Sequence, residues 1–394
     1  MAGISLYCFF WLMACLTPDP GDPVKREKPV DTIRIAWDRT TLQHLSPEDA
    51  RYAGYARMIV LHDGSLFCVY ECQGATHAIR SYDNAVSWTK SVIIAAPENE
   101  INRVVPEVLQ LQDRSLLVSY NLRPGGNNTD PSKRFAIEVR RSVDGVRWSE
   151  PVRVYTAGHE FINGCWEPAQ IQLPSGEIQL FIANEAPYTQ SDEQEITLFR
   201  SKDNGASWTA GEKVSFRSGF RDGMPVPLQL KNGKEIIIAI EDNGIDGTFK
   251  PVIIRTPATG AWKNAPVLAN SKDRSHALDT RNRVPTDAYA GAPYIRQLPS
   301  GETLLSYQST EWRNNAPWDR SDMVVAIGDS EGRNFNYKSR PFNFSDSTKT
   351  CLWNSITVLN DTTVIALSST NAFSDKTGVW MIKGYVQRPA HARR

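Results

Sequence analysis

Two glutamates sit in this chain where acids are rarely found. Glu167 lies between Trp166 and Pro168 at the head of an apolar stretch, and Glu241, 74 residues later, closes the run from Ile236 to Ile240. A carboxylate carried on an apolar strand is costly unless it is paired or put to work. Two partly desolvated carboxylates in one cleft suit the hydrolysis of a glycosidic bond: one protonates the leaving oxygen while the other attacks the sugar or activates a water. The bland alternative is that both acids pair with arginines such as Arg57, Arg221 or Arg255. Other chemistries lose their usual support. The sequence has no Gly-x-x-x-x-Gly-Lys phosphate loop, no Gly-x-Ser-x-Gly elbow and no His-Glu-x-x-His, and its six histidines are scattered. No metal or cofactor is expected.

A repeat must hold the two acids together. Six times a short apolar strand enters a tight turn and returns as a second strand, at 55–71, 104–121, 165–185, 222–242, 290–310 and 351–370. The copies align on Leu61, Leu111, Leu173, Leu230, Leu298 and Leu359. Four carry a proline five residues earlier (Pro106, Pro168, Pro225, Pro293), and four a glycine three residues later (Gly64, Gly176, Gly233, Gly301). Leucine spacings of 50, 62, 57, 68 and 61 residues suit one four-stranded sheet per copy. The fold class is therefore all-β, a six-bladed β-propeller.

In each hairpin the start of the first strand and the end of the second share an edge. Six blades thus gather Arg57, Glu71, Glu107, Asn121, Trp166, Glu167, Glu185, Arg221, Asp222, Glu241, Asp242, Tyr294, Gln308 and Trp353 on one rim. The opposite face offers plain turn residues such as His62, Asp63, Ser175 and Asn232. Strand parity puts Glu167 on the side of Ile171 and Leu173, lining the central channel. Trp166, Trp353 and Tyr294 suit stacking on sugar rings. Asp222 can hold a sugar hydroxyl, tune a neighbouring acid, or merely cap the turn before Gly223. Glu107 can balance Arg57, and Glu185 with Tyr188 can wall a subsite. Arg221, Asp242 and Gln308 complete the candidate substrate-binding set.

A second repeat lies between the hairpins. Residues 81–88, 142–148 and 201–208 are three versions of the Ser-x-Asp-x-Gly-x-x-Trp turn, or Asp box, the second one residue short and the first with Ala85 in place of glycine. The Asp caps the turn's own N–H groups, the glycine supplies positive φ and the Trp plugs the gap between sheets, so these boxes read as structural. Remnants stand at 252–262 and 324–335. Net charge is zero, with 44 basic and 44 acidic residues and no basic run, which argues against a nucleic-acid partner. Residues 1–15 read as a signal peptide, with Leu12-Met13-Ala14-Cys15 similar to a lipobox that would acylate Cys15; residues 16–30 read as a linker and 31–394 as one catalytic domain. An exported monomer is expected, a bacterial surface or periplasmic lipoprotein or else secreted, with an oligosaccharide or polysaccharide substrate. Cys68, Cys72, Cys165 and Cys351 read as buried or free thiols.

The Asp boxes, the six hairpins and the first strand from Arg57 to Leu66 resemble the sialidase superfamily of six-bladed propellers over residues 50–386. Within it, Trp166-Glu167-Pro168 and Ile240-Glu241-Asp242-Asn243-Gly244 are most similar to the exo-α-1,5-L-arabinanase family. That resemblance implies an exo-acting, retaining glycoside hydrolase for neutral oligosaccharides, with Glu167 as nucleophile and Glu241 as acid/base. A sialidase is the runner-up, with Arg57 as its first arginine and Tyr294, Arg221 and Arg313 as further parts. It needs an aspartate shortly before the first Asp box, and Cys72 to Tyr82 contains none. A non-catalytic glycan-binding propeller is the third reading, although a lectin gains nothing from two desolvated glutamates.

Overall fold

The computed structural model describes residues 32–314 and 316–389. The segments read as signal and linker, with Cys15, lie outside the described residues. Six four-stranded antiparallel sheets follow one another around a ring. The N-terminal strand β1 (Arg34–His44) is set aside for the last blade. Blade one is β2 (Ala53–Val60), β3 (Leu66–Cys72), β4 (Ala75–Ser81) and β5 (Val92–Ala95). Blade two is β6 (Asn102–Gln110), β7 (Leu116–Arg123), β8 (Ala136–Ser142) and β9 (Val152–Thr156). Blade three is β10 (Cys165–Gln172), β11 (Ile178–Asn184), β12 (Glu195–Ser201) and β13 (Glu212–Ser215). Blade four is β14 (Asp222–Gln229), β15 (Glu235–Asp242), β16 (Lys250–Pro257) and β17 (Arg274–His276). Blade five is β18 (Ala290–Gln297), β19 (Thr303–Ser309), β20 (Asp322–Gly328) and β21 (Asn336–Ser339).

Blade six, β22 (Cys351–Val358), β23 (Thr363–Thr370) and β24 (Gly378–Gln387), takes β1 as its outer strand. Arg34 stands opposite Gln387 and Trp37 opposite Gly384. Backbone hydrogen bonds thus close the ring and leave no free edge at the seam. The inner strands are apolar without alternation because both faces of a blade pack on neighbours. Ile237 of blade four, for example, shares a buried cluster with Leu298, Leu304 and Leu305 of blade five.

The Asp boxes join the third and fourth strands of blades one to three. Asp83, Asp144 and Asp203 each accept from backbone N–H groups of their own turn, as in Ser207 N to Asp203 Oδ1 at 2.9 Å. Ala85 adopts the positive φ of 60° that Gly205 adopts at 87°. The blade-five remnant works the same way, with Asp329 accepting from the N–H groups of Glu331 and Arg333. Cys68, Cys72, Cys165 and Cys351 are buried free thiols.

One irregularity recurs six times and builds the mouth. Every first strand carries a β-bulge whose middle residue has left-handed backbone: Tyr55, Val105, Glu167, Met224, Ala292 and Trp353, with φ between 47° and 55°. A non-glycine residue there costs about 1 kcal/mol or more, so the surroundings must hold it. They do so through a side chain at the end of the preceding blade's second strand. Ser369, Glu71, Asn121, Glu241 and Gln308 accept from the N–H of Tyr55, Val105, Glu167, Ala292 and Trp353 at 2.7 to 3.0 Å. Blade three has Ala183 in that place, opposite Trp166.

Candidate active site

Five of the six bulge residues are apolar or aromatic, and Tyr55, Val105, Met224 and Ala292 form one cluster with Trp353 packed on it. Glu167 is the sixth. The same backbone device that points five side chains toward the axis presents one carboxylate beside them. Strand parity alone does not anticipate this, because the bulge between Trp166 and Ala169 breaks the alternation and re-aims the residue. The Glu167 N–H is held by Asn121, but among the described residues its carboxylate has no hydrogen-bond or ion-pair partner. Desolvation, and then the negative charge of Glu241, push its pKa up to about 8, while Arg123 pulls the other way.

Glu241 meets it from blade four. Its Oε2 accepts from Ala292 N at 2.7 Å, and Oε1 has no partner among the described residues. Burial pushes Glu241 up to about 7 against the Ala292 N–H and Arg221, which favour the ionised form. Two glycines make its room. A Cβ on Gly223 would come 3.0 Å from Oε1, and one on Gly291 would collide with both Oε2 and the Tyr289 hydroxyl. The arginines that might have neutralised the two acids are engaged elsewhere: Arg57 with Glu107, Arg221 with Glu185 and Arg255 with Glu235. Both acids are thus raised toward neutral pH, Glu167 more than Glu241, which suits a site that needs one carboxyl protonated beside one ionised.

The other expected residues divide sharply. Trp353 lies at the mouth, its ring 5.8 Å from Trp318 and 6.1 Å from Tyr55, and Trp318 continues to Tyr289 at 6.3 Å. This aromatic arc runs outward from the bulge ring at Trp353. Gln308 is buried and positions the arc, accepting from Trp353 N and donating to the Tyr289 hydroxyl at 3.0 Å. Glu185 and Arg221 line a cleft of about 630 Å³ beside Phe161 and Asp192. Tyr188 stands apart from that wall, stacked on Phe216 and bonded to Glu195. Trp166 is buried against Phe135 and Phe161 with the Arg123 guanidinium 4.8 Å over its ring, so it offers no open face to a sugar.

Asp222 and Asp242 are corrections. Both are 0% exposed and clamp Arg274, while Asp242 also takes Arg217. Such charges survive burial only because the guanidinium groups satisfy them, which leaves nothing for a ligand. Arg57, Glu107 and Tyr294 are likewise sealed below the mouth. Arg57 lies between the Tyr55 and Tyr294 rings, 3.7 Å from Glu107, and Arg296 donates to the Tyr294 hydroxyl. Two residues near the acids carry no sequence signal. Tyr289 lies on the linker into β18, and Arg123 at the end of β7 has no carboxylate partner among the described residues. No group of three His, Cys, Asp or Glu side chains among the described residues could hold a metal ion.

Residues 126–277 match the BNR repeat-like domain. A search of curated proteins finds no match. Among solved structures, an α-L-arabinofuranosidase of Fusarium graminearum superposes with a TM-score of 0.65 at 16% identity, covering 85% of this chain and 94% of that one. An α-L-arabinanase of Penicillium chrysogenum, solved with arabinobiose, gives 0.60 at 15% identity over 86% and 96%. A leech intramolecular trans-sialidase gives 0.61 at 9% identity over 86% and 68%. At these identities the likeness is one of fold: the chain is a sialidase-like six-bladed β-propeller carrying a BNR repeat-like segment.

Proposed function

We propose that the protein is a retaining, exo-acting glycoside hydrolase for neutral arabino-oligosaccharides such as α-1,5-arabinan, with Glu167 and Glu241 as its catalytic pair. The observation that carries the reading is two carboxyl groups of raised pKa at one mouth, neither of them in an ion pair among the described residues. In the reaction Glu241 gives its proton to the leaving oxygen while a Glu167 oxygen attacks the anomeric carbon, forming a glycosyl ester. Glu241, now ionised, takes a proton from water, the water oxygen displaces Glu167, and the pair returns to its starting state. The assignment of attack to Glu167 rests on the resemblance of Trp166-Glu167-Pro168. The order of the two pKa values, about 8 for Glu167 and about 7 for Glu241, puts the first proton on Glu167 before substrate binds, so the assigned roles require that proton to move to Glu241 when it does. The arc of Tyr289, Trp318 and Trp353 suits the C–H faces of a neutral sugar.

The sialidase reading asks for arginines free to grip a carboxylate. Arg57 and Arg221 are engaged as above and Arg313 pairs with Asp322 at 2.7 Å, which leaves Arg123 as a single arginine near the acids without a carboxylate partner among the described residues, where a sialidase needs three. The test is a release assay over arabino-oligosaccharides, sialyl conjugates and plant-wall polymers. Arabinose or arabinobiose should be released, and Glu167→Gln should abolish it while Arg57→Ala hurts less. Free sialic acid released at an enzymatic rate would overturn the proposal. Azide with a Glu241→Ala variant and an aryl arabinoside orders the pair: restored turnover giving an azide product of retained configuration marks Glu241 as the acid/base.

A further inference from the structure

The described residues contain ten tryptophans, and just two are exposed: Trp312 at 47% and Trp318 at 49%. Both sit on the loop between β19 and β20, on the same face as the catalytic pair. Trp318 belongs to the aromatic arc already described. Trp312 lies in a separate cleft of about 790 Å³ between blades five and six, walled by this loop and by residues 340–347. Leaving a large aromatic surface in water is unfavourable; the Arg340 guanidinium at 5.2 Å and the Lys338 ammonium at 5.9 Å flank the ring, but unlike Trp166, 5% exposed beneath Arg123, Trp312 keeps about half of its surface open.

The facing loop is equally fixed. Arg313 donates to the carbonyls of Ser347 and Lys349 at 3.2 and 2.7 Å, Arg320 donates to Thr348, and Arg39 donates to Asn343. Asp346 ties down Thr348 through its N–H and hydroxyl. The cations are themselves matched: Arg313 and Arg340 both pair with Asp322, and Lys338 pairs with Glu311. The cleft is thus built before any ligand arrives, and its lining charges balance, Arg313 and Arg340 against Asp322 and Asp346. It offers the exposed Trp312 ring, with Phe344 half-buried behind the Arg313 guanidinium, bordered by the side chains of Asn314, Asn343 and Ser345, none of which has a hydrogen-bond partner among the described residues. Apolar C–H faces flanked by hydroxyls are the surface of a neutral sugar ring, and preorganisation lowers the cost of binding it.

We infer that this cleft is a second carbohydrate-binding site, in which Trp312 holds a further stretch of the polysaccharide whose end enters the mouth past Trp318. The choice of arabinan as ligand rests on the proposed function; the existence of the site does not. The two tryptophans stand on that one loop, which brings both to the mouth face. Such a site acts on long substrates and is silent on short ones.

The test is affinity electrophoresis of the full chain through gels containing linear α-1,5-arabinan, galactan or pectin, together with kinetics on arabinan and on arabinotriose. Trp312→Ala should weaken retention by its polymer about five- to tenfold and raise KM for arabinan similarly, leaving kcat and all trisaccharide kinetics unchanged, and Trp312→Phe should restore most of the loss. Unaltered retention of a Trp312→Ala protein whose melting temperature matches the parent overturns the inference, as does retention by none of the three polymers. Trp312-dependent retention without hydrolysis would sink the proposed activity and leave the site standing. Hydrolysis of arabinan with kinetics indifferent to Trp312→Ala would do the reverse.

Discussion

On the turn face, Asp203 accepts from the Ser207 hydroxyl and N–H and from the Ser201 hydroxyl, and is held at about 2; in the mouth, the Glu167 carboxylate meets no donor among the described residues and is pushed up to about 8. Both residues belong to repeats of the same fold, on opposite faces. The Asp boxes surround a carboxylate with the donors that favour its charge, and the turn gains its shape from the bonds. The bulge ring does the opposite, since the position Glu167 occupies is filled elsewhere by Tyr, Val, Met, Ala and Trp, and its neighbours are built for apolar side chains. An acid that its surroundings oppose contributes nothing to the fold, which is the physical ground for reading it as functional.

The largest test of that contrast is activity. Glu167→Gln and Glu241→Gln should each lower turnover on the true substrate by about 100- to 10,000-fold, while Asp203→Asn should leave kcat within experimental error. A loss of turnover in the Asp203 variant, or its retention in both glutamate variants, would erase the distinction between the faces.

Stability should move the other way, with opposite dependence on pH. Glu167 has a folded pKa raised from 4.5 to about 8, so its ionisation destabilises the native state, and the loss accumulates as pH rises through that interval. Glu167→Gln should therefore melt with the parent near pH 4.5 and above it by about 2–4 °C near pH 8.5. Asp203 is depressed from 3.8 to about 2, so its contribution is full above pH 4 and fades as pH falls through the interval. Asp203→Asn should melt below the parent by a few degrees at pH 7, the gap closing toward pH 2. Calorimetry across this range decides both, and parallel pH curves for the two variants would refute the contrast.

What was legible in the sequence follows the same division. The hairpins and Asp boxes could be read because each depends on local chemistry, an apolar alternation, a proline or a turn aspartate, that recurs at a fixed offset. The rim residues could be gathered because hairpin topology alone brings strand starts together with strand ends. It could not be read which of them were open. Asp222 and Asp242 are spent on Arg274, which lies on a short fourth strand with no period of its own. Tyr289 reaches Glu241 from a linker, across a gap that exists because Gly291 has no side chain. The left-handed bulge is also hidden, since Val105 and Trp353 are poor residues for positive φ and adopt it because the neighbouring blade supplies an acceptor.

The smallest expected effect concerns how strictly the turn face needs its glycines. Ala85 already occupies the left-handed position of the first Asp box, at φ 60°, so the backbone there tolerates a Cβ at the strain of about 1 kcal/mol usual for that region. The same substitution in the third box is not equivalent. A Cβ on Gly205 would stand 2.9 Å from Leu117 Cδ1, a side chain of the neighbouring blade, so Leu117 must shift within a packed core. Gly205→Ala should cost about 1–3 kcal/mol in denaturant unfolding, strain and overpacking together. Leu117→Val, which shortens the obstructing side chain, should recover part of it in the double variant although it destabilises the parent alone. Additive losses in that cycle would show that backbone conformation sets the cost, and that Ala85 is tolerated for a reason other than the space around it.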